Sequence, residues 1–168
     1  MVFDRPLLGR SILARPPGRT EDKPMILDVN GIQKILPHRH PFLMVDAILE
    51  MERHKRIVGI KNVTYTEFWF PGHFPGKPVM PGVLIIEAMA QCGGLLLLQE
   101  VEDRENKLLY FAAIDDCRFR RPVVPGDQLR IEMEAVAWKL NVCKLRGQAS
   151  VNGELACEAT LMCTMVDR

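Results

Sequence analysis

The sequence has almost no net charge: 22 Lys and Arg stand against 21 Asp and Glu, a formal balance of +1 at pH 7. Proteins whose main partner is nucleic acid are usually clearly basic, so we expect no nucleic-acid partner. The balance still leaves room for a local basic patch that would attract an acidic protein.

Paired cysteine motifs are also missing, since none of the five cysteines lies in a C-x-x-C pair and their number is odd. We recognise no signal peptide, so free thiols in a reducing cytosol are the simplest interpretation. His38 and His40 form an H-x-H pair with no evident third ligand nearby. We therefore expect no metal ion.

A long uninterrupted apolar run is the third absence. The longest apolar stretch, residues 83–98, contains Glu87, Gln91 and two glycines. It is shorter than the roughly 20 residues that span a bilayer, and its polar residues would be costly in lipid. We therefore expect no membrane insertion.

Residues 1–24 differ in composition from the rest, with four arginines, four prolines and no sustained apolar period. We predict an irregular N-terminal extension over 1–24 and one domain over 25–168. The alternative is a transit peptide, because the segment carries arginines and few acidic residues. That alternative would imply a plastid rather than a bacterial protein.

The remaining sequence predicts one long buried helix and about six strands, an α+β fold. Residues 81–100 are apolar on nearly every side, which is typical of a helix without a solvent face. Asp28 is a predicted cap of a short helix that ends near residue 36. Strand-like composition or alternation occurs in 42–51, 54–63, 108–114, 117–120, 127–140, 142–151 and 154–166, and Asn152-Gly153 predicts a hairpin turn. An antiparallel sheet that wraps one central helix accommodates this inventory.

Glu87 lies in the middle of the long apolar helix. A carboxylate without a partner is costly there, and burial favours its protonated form. Gln91 follows four residues later on the same helix face, within reach of a hydrogen bond to Glu87. We interpret Glu87 as a functional acid; the alternative is an ordinary surface position.

His73 precedes the helix in a loop rich in proline and glycine, PGHFPG at 71–76. A histidine held in such a loop is a candidate general base, although many loop histidines are ordinary surface residues. Gly82 falls in the first turn of the helix, where backbone N–H groups lack partners and can stabilise an oxyanion. Base, acid and oxyanion donor together suit proton removal beside a carbonyl, followed by loss of a leaving group.

Three long motifs carry a resemblance to one enzyme family. They are LPHRHPFLMVD at 36–46, HFPGKPVMPGVLIIEAMAQ at 73–91 and FRRPVVPGD at 119–127. In this order they closely resemble the bacterial 3-hydroxyacyl-acyl-carrier-protein dehydratases of the FabZ type. The resemblance implies the hot-dog fold, with the long helix enclosed by the sheet, and an enzyme of fatty-acid elongation.

Carried over by position, the resemblance implies that His73 removes the α-proton of a (3R)-3-hydroxyacyl thioester. Glu87 would protonate the departing hydroxyl, so that a trans-2-enoyl thioester forms. Gly82 would bind the thioester carbonyl, and Gln91 would orient Glu87. The partner would be acyl carrier protein, whose phosphopantetheine arm carries the acyl chain, so the enzyme itself would need no metal or organic cofactor. The resemblance also implies a homodimer in which His73 of one subunit faces Glu87 of the other, assembled further as a trimer of dimers.

The acyl chain would need an apolar tunnel, and the carrier protein a basic rim. Candidates for the tunnel wall are Ile85, Ile86 and Met89, although core packing is the favoured role for most of them. Whether Tyr110 or Phe111 gates the tunnel stays open. Candidates for the rim are Lys77, Arg118, Arg120 and Arg121, with scattered solvated charges an equal alternative.

One position separates this chain from a sister type of the family, and another departs from the family's own pattern. The sister dehydratases that also isomerise the double bond typically have Asp where Glu87 stands, which favours the plain dehydratase. An arginine would be expected after Asp46, and Ala47 stands there. The alternatives left open are a hot-dog thioesterase, a non-catalytic binder of acyl thioesters or carrier protein, and the sister isomerase.

Overall fold

The chain combines one antiparallel sheet with one long helix in a computed structural model that describes residues 26–168. The predicted extension at 1–24 lies outside the described residues. The helices are α1 (Val29–Gln33) and α2 (Gly82–Leu98). The strands are β1 (Ala47–Glu52), β2 (Arg56–Asn62), β3 (Lys107–Phe119), β4 (Gln128–Lys139), β5 (Val142–Val151) and β6 (Glu154–Asp167).

The six strands form a single sheet in the order β1-β2-β4-β5-β6-β3, and every neighbouring pair is antiparallel. The tight turn between β5 and β6 has Asn152 and Gly153 at φ 52° and 83°, the left-handed conformation that a two-residue hairpin requires. The order leaves β1 and β3 at the two edges. The predicted α+β hot-dog fold, with one long helix and six strands, is confirmed.

The core lies between α2 and the strands β2, β4, β5 and β6, all of which contact the helix. Met89 and Leu95 of the helix and Ile131 and Leu145 of the sheet are fully buried. Each such side chain contributes about 1.5–3 kcal/mol by leaving water. At Gly93 an added Cβ would lie 2.5 Å from Leu145 Cδ1, so the absence of a side chain there permits the close approach of helix and sheet.

Two predicted strand boundaries were wrong. The stretches 108–114 and 117–120 form one strand, β3, because it continues to pair with β6 through irregularities at Phe111/Ala113 and Asp115/Arg118. The strand predicted from residue 42 begins only at Ala47. Before it, the Met44 N–H donates to the Gln91 side chain at 2.7 Å, so that amide is bound to the central helix rather than to a strand.

The cysteines are all free thiols. Burial raises the pKa of Cys92 to about 12, so this thiol is protonated at neutral pH and acts as a small core side chain. No helix within residues 26–168 combines the length and apolar character needed to cross a membrane.

Candidate active site

His73 is held by the backbone of its own loop, between β2 and α2. Its ring Nδ1 lies 2.7 Å from the carbonyl oxygen of Val79, and the Val79 N–H donates to the His73 carbonyl at 2.9 Å. Because a carbonyl oxygen only accepts, we assign the ring proton of neutral His73 to Nδ1. That tautomer leaves a lone pair on Nε2, which is what a general base requires.

The half-buried His73 shares a pocket of about 490 Å³, the His73 pocket, with Gly82 and Phe119. A Cβ added at Gly82 would lie 2.8 Å from the Phe119 ring, so glycine lets the ring pack against the start of α2. Pro81, the N-cap residue, provides no side-chain capping bond to the first turn. The first turn therefore presents backbone donors and the positive end of the helix dipole to this pocket.

Gln91 ties Glu87 to the chain segment before β1. The Gln91 side chain is 2% exposed. Its Nε2 donates to Glu87 Oε1 and to the Phe42 carbonyl, each at 2.8 Å, while its Oε1 accepts from Met44 N–H. The amide is therefore fixed from both sides, and it fixes the position of the Glu87 carboxylate in turn.

His38 approaches the same carboxylate, with its Nε2 3.6 Å from Glu87 Oε1. Burial holds the pKa of His38 below its ordinary value, although the nearby charge of Glu87 opposes the shift. His40, the other half of the H-x-H pair, lines a different pocket with Asp46 and Lys61. Sequence reasoning missed the His38–Glu87 contact, because His38 reaches the helix from a distant loop and its spacing carries no sign of it. Among residues 26–168, no group of three or more His, Cys, Asp or Glu side chains is placed to hold a metal ion.

Glu87 and Gln91 lie on the wall of an elongated apolar pocket of about 330 Å³, the Glu87 pocket. Its other lining residues are Leu36, Pro37, His38, Ala90, Gly94, Leu98, Leu109, Tyr110, Phe111 and Cys163. The helix residues of this set follow one face of α2 down from Glu87, so the pocket extends about 16 Å along the helix at 1.5 Å per residue. A narrow apolar pocket with a carboxyl group at one end suits a linear aliphatic chain with a polar head.

Most of the tunnel candidates named from the sequence have the core-packing role that was favoured for them. Ile86 and Met89 are buried in the core, at 4% and 0% exposure, and Ile85 lines the His73 pocket. Tyr110 and Phe111 both line the Glu87 pocket and both are exposed. Which face of an all-apolar helix lines a cavity depends on its neighbours, so the sequence alone could not select that face.

Within one chain, His73 and Glu87 line different pockets. His73 and Gly82 line one pocket near the start of α2. Glu87 and Gln91 line another pocket, more than one helical turn further along α2. The structure thus joins the four predicted site residues into two pairs.

The comparisons with known proteins agree on one family. A model of the FabA-like domain matches residues 36–160. A curated protein of Koribacter versatilis, 3-hydroxyacyl-acyl-carrier-protein dehydratase FabZ, is 57% identical over 143 residues, which cover 85% of this chain and 92% of that protein. The protein of the same name from Geobacillus thermodenitrificans is 55% identical over 143 residues, or 85% of this chain and 98% of its own length. The chain belongs to the FabZ family.

Solved structures support the FabZ fold at much lower sequence identity. The dehydratase heterocomplex ApeI:P of Xenorhabdus doucetiae matches with a TM-score of 0.71 at 18% identity, covering 82% of this chain and 91% of that one. A hypothetical thioesterase of Streptococcus pneumoniae, solved with coenzyme A, matches with a TM-score of 0.52 at 15% identity, over 72% and 85% of the two chains. At these identities the likeness concerns the fold alone.

Proposed function

We propose that this protein dehydrates (3R)-3-hydroxyacyl thioesters of acyl carrier protein to trans-2-enoyl thioesters, a step of fatty-acid elongation. One observation carries the proposal: the buried amide of Gln91 holds the Glu87 carboxylate at the polar end of an apolar pocket. This arrangement provides an acid beside a cavity for an aliphatic chain. The family membership supports the proposal too, because relatives that are 55–57% identical are named for this activity.

His73 is the base in the proposed mechanism. Its Nδ1–H donates a hydrogen bond to the Val79 carbonyl, so the lone pair on Nε2 takes the α-proton of the substrate. Electron density that moves to the thioester carbonyl is stabilised by the N–H of Gly82 at the positive end of α2. No metal ion or organic cofactor enters these steps.

Glu87 is the acid. In its protonated form it gives its proton to the departing 3-hydroxyl, which leaves as water, and the double bond forms between C2 and C3. In the reverse reaction the Glu87 carboxylate takes a proton from the attacking water, and protonated His73 returns one to C2. Gln91 orients the carboxyl group through both directions.

We propose that His73 of one subunit meets Glu87 of a second copy of the chain, because within one chain they line separate pockets. The edge strand β3 supports such a dimer. It is 13 residues long and presents large apolar side chains to solvent: Tyr110 is 56% exposed, Ile114 47% and Phe119 52%. A long exposed apolar edge is normally covered in the native assembly. Further assembly as a trimer of dimers remains part of the proposal.

The carrier protein would approach over the predicted basic rim. Arg120 pairs with Glu158 at 2.6 Å and Arg121 with Asp127 at 3.3 Å, so these two charges are partly neutralised within the chain. Arg118 contacts the carbonyl of Cys117. We therefore propose Arg118 as the first rim residue to test.

The bacterial cytoplasm is the compartment we propose, because free thiols suit a reducing environment. The division into an extension at 1–24 and a catalytic domain at 25–168 also remains a proposal.

The test is hydration of a trans-2-enoyl thioester, the reverse reaction, followed through loss of the conjugated thioester absorbance. Wild type is expected to hydrate the substrate, whereas His73→Ala and Glu87→Gln should each lose at least about 100-fold in kcat, as expected for loss of a general acid or base. The controls are circular dichroism spectra of both variants and the variant Glu105→Gln, which changes an exposed carboxyl outside both pockets.

Other outcomes would replace the proposal. A wild type that releases free thiol instead of hydrating the double bond would indicate a thioesterase. A cis-3 product would indicate the sister isomerase, and a silent wild type that binds acylated carrier protein would indicate a binding protein.

A further inference from the structure

We infer that His38 is a positioning residue for Glu87: together with Gln91 it holds the carboxylate oxygen Oε1 and leaves Oε2 as the oxygen that exchanges a proton with the substrate. The inference rests on the proposed dehydratase function and specifies its acid site atom by atom.

Two nitrogen atoms converge on one oxygen of Glu87. Gln91 Nε2 lies 2.8 Å from Oε1 and His38 Nε2 lies 3.6 Å from the same atom. The first distance is a hydrogen bond, and the second is a polar contact that a small movement would close to one. No side chain within residues 26–168 donates a hydrogen bond to Oε2. The proton of the neutral acid therefore belongs on Oε2, because Oε1 already faces donors.

Within residues 26–168, the ring of His38 has a polar partner at only one of its two nitrogens. Its Nδ1 is buried by this part of the chain and has no hydrogen-bond partner there, so a second subunit cannot reach it. Buried N–H groups without a partner are rarer than unpaired acceptors. Neutral His38 therefore keeps its proton on Nε2, directed at Glu87. A buried ring nitrogen without a hydrogen-bond partner destabilises the folded state. The contact between His38 and Glu87 offers a functional reason for this unfavourable arrangement.

The loop that carries His38 is held in place by hydrogen bonds from its own Arg39 side chain. Arg39 donates to the carbonyl oxygens of Leu36 at 2.8 Å, His38 at 2.7 Å and Gln33 at 3.0 Å. The His38 ring also stacks on Phe42 with centroids 6.4 Å apart, and Phe42 is the residue whose carbonyl accepts from Gln91. His38 and Gln91 are therefore parts of one assembly around Glu87.

The charge state of His38 suits a residue that donates a hydrogen bond to Glu87 and does not compete with Glu87 as a proton donor. Burial, with the charge of Arg39 adding to it, holds the pKa of His38 below its ordinary value, and Glu87 alone opposes the shift. The other polar or titratable residues that line the Glu87 pocket are Gln91, Tyr110 and Cys163. Near neutral pH His38 is thus uncharged and offers Glu87 a hydrogen-bond donor rather than a competing proton.

The test compares His38→Gln with His38→Asn in the hydration assay, using the full-length protein. A glutamine amide nitrogen falls near the position of Nε2, whereas an asparagine nitrogen falls near Nδ1 and leaves Glu87 without its second donor. We expect His38→Asn to lower kcat by about 10- to 100-fold, the usual cost of losing a supporting hydrogen bond at a site, with KM changed by less than about threefold. His38→Gln should recover most of the loss.

The pH profile separates positioning from a structural role. Hydration requires the Glu87 carboxylate, which the His38 donor stabilises, so in His38→Asn the acid limb of the kcat profile should move to higher pH. It should stay in place in His38→Gln. Thermal midpoints of both variants monitor folding.

The possible failures are distinguishable. An active wild type whose His38→Asn variant keeps its kcat and pH profile would overturn the inference and leave the proposed function standing. Equal losses in both variants, with lowered thermal midpoints, would likewise overturn it in favour of a packing role. A wild type without hydratase activity would overturn the proposed function itself, and the inference with it.

Discussion

Replacement of Gln91 by leucine is expected to weaken folding and catalysis together. Leucine has a similar volume but no polar atoms, so the Met44 N–H and the Phe42 carbonyl lose their partner, the Gln91 amide, which is 2% exposed. Each orphaned buried group costs about 1–3 kcal/mol. The extra apolar surface of leucine recovers about 1–2 kcal/mol, so the middle values of these ranges leave a net loss of about 2–3 kcal/mol in the free energy of unfolding.

The assay is urea denaturation of wild type and Gln91→Leu at one protein concentration, because the stability of an oligomer depends on concentration. Tryptophan fluorescence reports unfolding, because Trp69 is 6% exposed in the core. The control is Gln91→Glu, which keeps the volume and can accept from Met44 N–H. Ionised, it cannot donate to Phe42 or Glu87 and places a second negative charge beside the acid. We expect it to lose activity at least as strongly as Gln91→Leu, and to lose stability as well, because a carboxylate is costly at a buried site beside a second carboxyl group.

The refuting result is an unchanged urea midpoint. If Gln91→Leu unfolds within about 0.5 kcal/mol of wild type, the usual range for surface substitutions, the amide does not hold the segment before β1. A destabilised variant with full kcat would show instead that Glu87 does not depend on Gln91 for its position.

Two further predictions concern the wall of the Glu87 pocket. At Gly94 an added Cβ would lie 3.2 Å from Leu109 Cδ1, so Gly94→Val should raise KM for long-chain enoyl thioesters by at least about tenfold. Short-chain kinetics should be nearly unchanged; an equal effect on all chain lengths in a substrate series would contradict this. Burial, aided by the charge of Glu87, raises the pKa of Cys163 to about 11, so alkylation by iodoacetamide should be slow at pH 7 and accelerate about tenfold per pH unit towards that pKa. Rapid, pH-independent labelling of Cys163 by mass spectrometry would refute it.

The fold was predictable where local patterns are strong. The apolar stretch 81–100 corresponds to α2, and Asn152-Gly153 marks the hairpin that joins β5 and β6. The ends of β1 and β3 could not be predicted, because they depend on contacts with residues distant in the sequence. Met44 pairs with a helix side chain, and β3 continues past its irregularities by pairing with β6.

The site was predictable only within its continuous motif. The four site residues that lie between positions 73 and 91 were selected because the loop, the helix start and the helix face that carry them lie close together in the sequence. His38 was not selected as a neighbour of Glu87, because it arrives from another part of the chain. Gly94 was also missed, because glycine in a helix carries no sign of the cavity that it opens. The catalytic roles of His73, Glu87, Gly82 and Gln91 stay predictions.

Subunit complementation tests most directly whether His73 and Glu87 act together across an interface. His73→Ala and Glu87→Gln are unfolded together, refolded at equal concentration and assayed for hydration, with each variant refolded alone as control. In an isologous dimer, half of the refolded dimers are mixed, and each has one site with both residues intact. We therefore predict recovery of about a quarter of wild-type activity from two nearly inactive proteins. If the mixture forms mixed dimers and stays as inactive as its parts, His73 and Glu87 do not form a shared site, and the proposed mechanism is wrong.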